Sequence, residues 1–460
     1  MAELRFRVLA AIMALAAVAD TSVAGFEFHE ATVDAIQLGF LNGSLTSTAL
    51  VRFYLDQIAR LNPLLHAVIE VNPDALAQAA RADAERSSSR HRGGGLHGVP
   101  VLVKDNMATR DRLNTTAGSL ALLGSVVKRD AGVVSRLRRA GAVILGKANP
   151  SEWSNFRPVQ DSWSARGGQT LNSVVGIKPT VGLTSRSGVI PITPLQDTVG
   201  PMCRTVSDGV HVLDAIVGYD TFDAEATRAA SKYIPRGGYK QFLKIDGLRG
   251  KRIGVPNVFF QGTEDQDLKV YEKHLRTVRQ HGAIVITDLD IAVDWADLNA
   301  QEMIAMNAEF KISINAYLSD LLYSPVRSLA QVIAFNNAHP IQERIKDFGQ
   351  PDLIAAEKTN GIGKMEREAI RKLNELSTNG LEKLMKEHKL DAIAAPDSQA
   401  SSVLAIGGYP GIFVPAGYDK QGVPFGICFG GLKGYEPRLT EMGYGFEQAT
   451  KVRRQPAFKH

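Results

Sequence analysis

The sequence predicts an α/β protein, because short apolar runs and amphipathic helical patterns alternate along it. Residues 99–103 and 142–145 are apolar runs, and an amphipathic helical pattern lies between them. A strand, a helix and a strand at this spacing are typical of a βαβ unit. The composition is that of a globular chain, with 44% hydrophobic and 22% charged residues among 460. It excludes a disordered chain, a collagen-like repeat and a coiled coil.

The first part of the chain is predicted to be mainly helical. Between Thr48 and Leu61 apolar residues recur at three and four positions, as on one face of a helix. Residues 72–74, Asn-Pro-Asp, begin an alanine-rich helix. Farther along, Asp130 is placed to cap the helix between the two apolar runs, and Gly141 is placed to end it.

The rest of the chain continues the alternation of helices and strands. Residues 221–390 are mainly helical in pattern and strongly charged. Further strands are predicted at residues 253–256, 283–286, 391–396, 411–416 and 424–429, and further helices at residues 205–217 and 436–450. We expect residues 25–460 to form a single domain, since large α/β enzymes often do.

The N-terminal segment has the three parts of a secretory signal peptide. Arg5 and Arg7 precede an apolar run over residues 8–18, and small residues at positions 22 and 24 fit cleavage after Ala24. The run is too short to span a bilayer, and no later stretch is long and apolar enough to be a transmembrane helix. We therefore expect residues 1–24 to be removed and the protein to enter the secretory pathway. An N-terminal amphipathic helix is the alternative.

Two N-glycosylation sequons agree with a secretory route. Asn42 and Asn114 each stand two positions before a serine or threonine. The same route would permit a disulfide between Cys203 and Cys428, but the sequence leaves pairing and free thiols equally open.

Two glycine motifs resemble nucleotide-binding loops, but neither has the required context. Residues 93–98 fit G-x-G-x-x-G, yet a loop precedes them and a strand follows. Residues 141–147 fit G-x-x-x-x-G-K, but no Ser or Thr follows to hold magnesium. The chain also lacks the H-E-x-x-H and C-x-x-C patterns of metal sites. We therefore expect neither a cofactor nor a metal.

The charge distribution does not favour nucleic-acid binding. The net charge of +5 is small for a chain of this length. The densest basic cluster, residues 136–139, falls in a predicted helix, where a solvated helix face is the simpler interpretation.

Lys104 is the first candidate catalytic residue. It ends the apolar strand that begins near Val99. A lysine at the inner end of a buried strand is costly unless it is paired, and desolvation lowers its pKa so that it can act as a neutral general base. The alternative is a lysine that turns out into solvent after the strand.

Several segments around Lys104 and beyond it closely resemble motifs of the amidase signature family. The similarity covers essentially the whole chain after residue 24, and its motifs occur in the family's order. It is greatest to the plant branch of secreted or endomembrane amidases. The motifs lie at residues 98–106, 116–119, 142–152, 176–180, 185–191, 197–201, 204–205, 407–411 and 423–426.

This resemblance implies a fold and a mechanism. The fold would be one large α/β domain, a mixed twisted sheet flanked by helices. The mechanism would be hydrolysis of a small-molecule amide by a Ser–cis-Ser–Lys triad, with backbone N–H groups holding the oxyanion. Lys104 matches the family's lysine. Asp197 and Arg204 match positions that we expect to form a buried polar network near the site.

The chain departs from the family pattern at one place. The family carries its relay serine, a helix, a strand and the nucleophile turn between segments resembling residues 166–170 and 175–179. Here only four residues separate Thr170 from Val175. Four residues reach about 14 Å at most, too short for a loop, a helix and a strand. Both catalytic serines and the oxyanion turn therefore have no counterpart, as after a skipped exon or an omission in the gene model.

We call residues 171–174 the join. Other serines near the join are weak replacements for the missing nucleophile. Ser173 lies at the join itself, and Ser164, Ser185 and Ser187 are close in sequence. An acyl-transfer nucleophile needs hydrogen-bond reach to its base and a pair of donors for the oxyanion, and no glycine turn flanks Ser173. We therefore expect an amidase-family hydrolase that is inactive or strongly impaired. The alternative is a non-catalytic pseudoenzyme or binding protein.

Overall fold

The computed structural model describes residues 25–88, 95–157, 163–170 and 175–456. The signal-peptide prediction and Ser173 lie outside these residues. The α-helices, in chain order, are α1 (Val33–Leu41), α2 (Ser47–Leu65), α3 (Ala75–Ser87), α4 (Gly132–Arg139), α5 (Val206–Ile216), α6 (Ala224–Ala230), α7 (Asp265–Gln280), α8 (Trp295–Asp320), α9 (Leu329–Ala338), α10 (Ile345–Phe348), α11 (Pro351–Glu357), α12 (Lys364–Ser377), α13 (Lys383–Glu387), α14 (Ser401–Ile406) and α15 (Glu436–Thr450).

Twelve strands lie in the described residues and form a small and a large mixed sheet with a short hairpin. The strands are β1 (Val68–Val71), β2 (Pro100–Lys104), β3 (Val143–Ala148), β4 (Trp163–Ser164), β5 (Gly168–Gln169), β6 (Val175–Lys178), β7 (Met202–Cys203), β8 (Arg252–Pro256), β9 (Ile284–Leu289), β10 (Ala392–Pro396), β11 (Gly411–Tyr418) and β12 (Pro424–Gly430). The large sheet has the order β7-β6-β11-β12-β10-β8-β9, the small one β1-β3-β2, and β4 pairs with β5.

The small sheet contains the predicted βαβ unit. β2 and β3 are parallel neighbours, and α4 is the helix between them in the chain. β1 adds to β3 in the antiparallel direction. β2 is therefore an edge strand, which explains why Leu102 is 41% exposed although its run was expected to be buried.

Helices cover the sheets and close two main apolar cores. One core joins the small sheet to α8, α9 and α11, and in it the rings of Phe156 and Phe310 stack with centroids 3.9 Å apart. The other packs α5, α7 and α15 on the large sheet. Complete burial of a phenylalanine side chain such as that of Phe310 contributes about 1.5–3 kcal/mol. The architecture is the mixed, helix-flanked α/β fold that the sequence predicts.

The cap predicted for α4 is wrong. The helix begins after Ala131, and no side chain caps it. The carboxylate of Asp130 instead accepts the Arg110 backbone N–H at 2.7 Å and pairs with Arg138 at 3.0 Å. The Arg110 N–H and the Arg138 guanidinium therefore bind the Asp130 carboxylate in place of the N–H groups at the start of α4. Gly141 ends the helix in the left-handed region, with φ of 77°, as predicted.

The structure also describes the state of the two cysteines, the partners of the basic cluster and the character of the helices. Cys203 and Cys428 are both free, and burial raises the pKa of each thiol to about 12. In the basic cluster, Arg138 pairs with Asp111 at 2.6 Å and Arg136 donates to the carbonyl of Tyr219 at 2.6 Å, so these cations serve local contacts. None of the helices in the described ranges has the length and apolar character needed to cross a membrane.

Candidate active site

Lys104 turns inward at the end of β2. Its backbone pairs with Ala148 of β3, and its side chain is half-buried. The ammonium nitrogen Nζ lies 2.7 Å from the hydroxyl oxygen of Ser154. Desolvation lowers the pKa of Lys104, and the nearby carboxylate of Asp197 opposes that shift. This is the environment expected of a lysine that can give up its proton, rather than of a solvated surface lysine.

Asp105, the next residue, fixes the loop that follows β2. It is fully buried, and its carboxylate accepts from the hydroxyl of Thr116 and from the N–H of Gly118 at 3.0 Å. Its backbone carbonyl accepts the N–H groups of Thr116 and Ala117 at 3.0 and 3.1 Å. Arg166 approaches the other carboxylate oxygen at 3.3 Å. The loop 116–118 is thereby tied to the end of the lysine strand.

A second buried lysine lies on the adjacent strand. Lys147 of β3 is fully buried, and its Nζ donates to the carbonyl of Met107 at 2.5 Å and to the hydroxyl of Thr115 at 2.9 Å. Desolvation lowers the pKa of Lys147 to about 8, although Asp105 opposes the shift. Both of its contacts are to residues of the loop after β2, so its role is to hold that loop. Sequence patterns do not indicate this role, because Lys147 stands within an apolar strand motif.

Asp197 lies close enough to Lys104 for its charge to act on the pKa of the lysine. Its carboxylate accepts the N–H of Ile192 at 2.8 Å. Desolvation raises the pKa of Asp197, while two backbone hydrogen bonds and the charges of Arg186 and Lys104 lower it. The hydroxyl of Thr193 donates to the carboxylate of Glu309 on α8, whose pKa is raised by burial. Glu309 is therefore a further acidic group near Asp197 that sequence patterns did not indicate.

Arg204 does not join this network. Its guanidinium donates to the carbonyl of Ala31, approaches the hydroxyl of Tyr54 at 3.4 Å and lies 4.0 Å from the carboxylate of Glu30. The charges that act on Asp197 are instead those of Arg186 and Lys104. The long side chain of Arg204 thus ties down the N-terminal end of the described chain, and its predicted membership of the buried polar network near the site is corrected.

Ser154 stands in an unusual turn. Trp153, Ser154 and Asn155 have φ angles of 50°, 52° and 69°, in the left-handed region that residues other than glycine rarely adopt. Each such residue costs on the order of 1–3 kcal/mol. The turn is held by the Trp153 N–H, which donates to the carbonyl of Ala117 at 2.9 Å, and by the buried ring of Phe156. No sequence pattern indicates Ser154, because left-handed runs without glycine have no characteristic composition.

Arg157 and two carboxylates anchor the end of the same turn. Arg157, Glu152 and Glu343 are fully buried, and one guanidinium nitrogen lies 2.7 Å from each carboxylate. Arg157 also donates to the carbonyl of Gly349 at 2.9 Å. Desolvation raises the pKa of both glutamates, the charge of Glu343 adds to the rise at Glu152, and Arg157 opposes it. We call this triad the buried clasp.

The buried clasp should make the protein more stable in mild acid. A carboxyl whose pKa is raised by folding contributes stability that is full below its ordinary value of 4.5 and is lost as the pH rises through the raised value. Glu152→Gln removes one of two charges that share one cation, so the melting temperature of this variant should fall less than the parent's between pH 5 and pH 8. Thermal unfolding at both pH values measures this. Glu368→Gln, at an exposed ion pair, is the matched control, and equal pH dependence in Glu152→Gln and the parent would contradict the assignment.

The replacement serines considered from the sequence have other partners. Ser164 is fully buried and donates to the side chain of Asn149 at 2.6 Å. Ser185 is fully buried and donates to Asp220 at 2.6 Å. The N–H of Ser187 donates to the hydroxyl oxygen of Ser185 at 3.1 Å. Ser164 and Ser185 thus have structural hydrogen bonds, and the hydroxyl that contacts Lys104 is that of Ser154.

The join between the two halves of the site links different sheets. Thr170 is anchored next to the small sheet, where its hydroxyl donates to the carbonyl of His66 at 2.8 Å. Val175 begins β6 of the large sheet and pairs with Cys203 of β7. Only four residues connect the two anchors.

Other binding features lie away from Lys104. A cavity of about 850 Å³ lies between α6 and α12, and Arg186, Pro194, Asp223, Tyr409 and Lys433 are among its lining residues. Lys104 does not line it. Within the ranges that the structure describes, no cluster of His, Cys, Asp and Glu side chains has the arrangement of a metal site.

A family model described as Amidase matches this chain in two pieces, residues 49–172 and 164–405. The two matched pieces overlap at residues 164–172, which reach into the join. A probable amidase of Arabidopsis thaliana is 52% identical over an alignment of 482 positions that covers 94% of this chain and 92% of that protein. A putative amidase of Schizosaccharomyces pombe is 32% identical, with 94% and 87% covered.

Solved structures give the same result. The native peptide amidase from Stenotrophomonas maltophilia superposes with a TM-score of 0.87 at 37% identity, covering 95% of this chain and all of that one. An amidase family protein from Bacillus anthracis has a TM-score of 0.86 at 32% identity, covering 94% of this chain and 93% of that one.

Proposed function

The chain belongs to the amidase family of hydrolases, and from this premise we propose that Lys104 is the base of an amide-hydrolysing site that has lost its nucleophile. The observation that carries the proposal is that two features occur together in this chain. Lys104 is desolvated and faces inward, and only four residues connect Thr170 to Val175. The general base is therefore present, whereas the segment that would deliver the attacking serine, its relay and the oxyanion donors is absent. Amide hydrolysis in this chain is strongly impaired as a result.

The lengths of the alignments support a missing segment. The alignment with the Arabidopsis amidase has 482 positions, whereas 94% of 460 residues is about 430, so about 50 positions have no residue in this chain. The family model breaks into two pieces that overlap at residues 164–172, which include the first two of the four joining residues. A helix and a strand with their turns need roughly 30 residues or more. A gap of this size at the join would therefore hold the whole nucleophile-bearing unit.

Chemistry explains why the loss falls hardest on amides. An amide nitrogen leaves only after it is protonated, and the tetrahedral oxyanion must be held while this happens. One oxyanion donor alone is worth about 10²–10³ in rate. A lysine can supply and accept protons, but without a positioned nucleophile and donors it has no tetrahedral intermediate to act on.

We propose linear amides, including peptide amides, as the substrate class of the intact site. The support is the 37% identity to a peptide amidase along that protein's whole length. A non-catalytic binding protein is the second candidate. It is favoured by the ordered network of Asp105, Thr116 and Gly118, which keeps the site in place without the missing segment.

Ammonia release from a panel of amides tests the proposal. The panel contains peptide, aliphatic and aryl amides, and the purified chain is compared with its Lys104→Met variant. We expect both proteins to remain at the uncatalysed background. Turnover by the parent that exceeds background and disappears in Lys104→Met would contradict the loss of the nucleophile.

We also propose that the protein is secreted and carries its N-linked glycan at Asn42. Asn42 is exposed in the turn after α1. The side chain of Asn114 is half-buried, donates to the carboxylate of Glu70 at 3.1 and 3.2 Å and accepts the N–H of Gly124 at 2.9 Å. A glycan on the amide nitrogen of Asn114 would replace one of its two N–H groups and would have to fit between the half-buried amide and Glu70.

Glycosylation should therefore depend on Asn42 alone. When the protein is expressed in a eukaryotic secretory host, Asn42→Gln should remove the mobility shift that peptide-N-glycosidase treatment produces. Asn114→Gln should leave that shift unchanged. A shift that persists in Asn42→Gln, or a cytosolic protein that retains Met1, would contradict the proposal.

A further inference from the structure

We propose that Ser154 and Lys104 form a nucleophile–base pair that hydrolyses small activated esters. This activity goes beyond the amide hydrolysis proposed above and uses a serine outside the join. The primary observation is the distance of 2.7 Å between the Ser154 hydroxyl oxygen and the Lys104 nitrogen, which is within hydrogen-bond reach for proton transfer.

The backbone at Ser154 gives the second observation. A nucleophilic serine is often presented on a sharp, strained turn that exposes its hydroxyl. Ser154 is the middle of three consecutive left-handed residues, and strain of this kind is characteristic of functional turns. Ser154 and Lys104 are both half-buried and Asn155 is exposed, so the turn borders solvent and a small reagent can approach the pair.

The surroundings hold the pair rigidly. Trp153 is tied to the loop after β2 by its N–H bond to the carbonyl of Ala117, and that loop is tied to Asp105, the residue after Lys104. On the other side, the buried clasp of Arg157, Glu152 and Glu343 anchors the end of the turn. The serine and the lysine therefore belong to one hydrogen-bonded unit, as a nucleophile and its base must.

The reaction balances with water as the only co-reactant. The Ser154 oxygen attacks the acyl carbon while its proton passes to the neutral amine of Lys104. The bond from the acyl carbon to the aryl oxygen breaks, and the aryl oxide leaves with the bonding pair. Lys104 then releases this proton to the solvent and is neutral again. Water attacks the acyl group and gives one proton to Lys104, and the serine oxygen leaves and takes that proton back, so the net products are the carboxylic acid, the aryl oxide and one proton. An aryl oxide leaves without prior protonation, which is why activated esters react where amides do not.

Burst kinetics with p-nitrophenyl acetate and labelling with a fluorophosphonate test the pair. We expect the parent to acquire one label per chain, on Ser154, at a rate that increases with pH as Lys104 loses its proton. Ser154→Gly should abolish this label, and glycine suits the left-handed backbone, so the turn is kept. Lys104→Met should slow labelling by at least a hundredfold, as expected for the loss of a general base.

Ser207→Ala is the matched control, because Ser207 has the same half-buried exposure but donates to a carboxylate, Asp34, at 3.1 Å. It should label like the parent. Label that persists in Ser154→Gly, acylation of the Lys104 amine, a rate independent of pH, or no label at all would each overturn the proposal. None of these results would change the amide measurements, so the two proposals fail separately.

Discussion

Inserting the segment that we propose is missing should raise amide turnover by at least 10²–10³-fold over this chain, because even one oxyanion donor is worth that much. The insert has about 50 residues, the number of positions in the alignment with the Arabidopsis relative that this chain does not fill, and it is placed between Thr170 and Val175. It would supply the nucleophile, the relay and the oxyanion turn together. The nucleophile, the relay and the oxyanion donors act as a unit, so their loss removes most of the catalysis. We therefore expect a large gain when all of them are restored.

Stability should rise with the same insertion. The lysine strand β2 is now an edge of a three-stranded sheet, and its Leu102 is 41% exposed. A restored helix and strand would cover apolar surface that this chain leaves open. Purified parent and restored proteins are compared by ammonia release from the amide panel and by thermal unfolding. Equal turnover by both proteins, lost from the parent on Ser173→Ala, would show that the join has created a new nucleophile.

Arg157→Met should destabilise the protein by about 3–5 kcal/mol, the usual cost of leaving buried charges without their partner. Glu152 and Glu343 would then face each other in the core without a cation. Since domains are stable by only about 5–15 kcal/mol, this one substitution removes a large share of the total. Urea unfolding at pH 8 measures the change in the free energy of unfolding.

Two comparisons identify charge as the cause. Arg371→Met removes an exposed ion pair with Glu368 and should have little effect on the free energy of unfolding, because solvent screens such pairs. Adding Glu152→Gln and Glu343→Gln to Arg157→Met should recover part of the loss, as should a shift to pH 5, where the glutamates take up protons. A loss below about 1 kcal/mol for Arg157→Met would contradict the buried clasp.

Local sequence patterns predicted the strand and helix that place Lys104. A short apolar run that ends in lysine, followed by an amphipathic helix and a second run, is enough to indicate β2, α4 and β3. The expectation that Asp197 lies in a polar network near Lys104, 93 positions away, came instead from the family resemblance. That resemblance also placed Arg204 in this network, whereas its long side chain reaches the carbonyl of Ala31 at the N-terminal end.

The features that sequence reasoning missed depend on tertiary structure. The contact of Ser154 with Lys104 requires a left-handed turn of three residues other than glycine, which no local propensity favours. The buried clasp joins Arg157 to Glu343, which is 186 positions away. Asp130 has the right position and chemistry for a helix cap, but its carboxylate binds the Arg110 N–H and the Arg138 guanidinium instead. Such competition is decided by packing and not by pattern.

The most direct measurement of the central claim is the effect of Lys104→Met on amide turnover with and without the restored segment. Four proteins form the cycle: the parent, the restored chain and the Lys104→Met variant of each. If the lysine is a base that has lost its nucleophile, the substitution should cost at least 10²-fold in the restored chain and nothing measurable in the parent. Equal losses in both backgrounds, or no loss in the restored chain, would contradict the account.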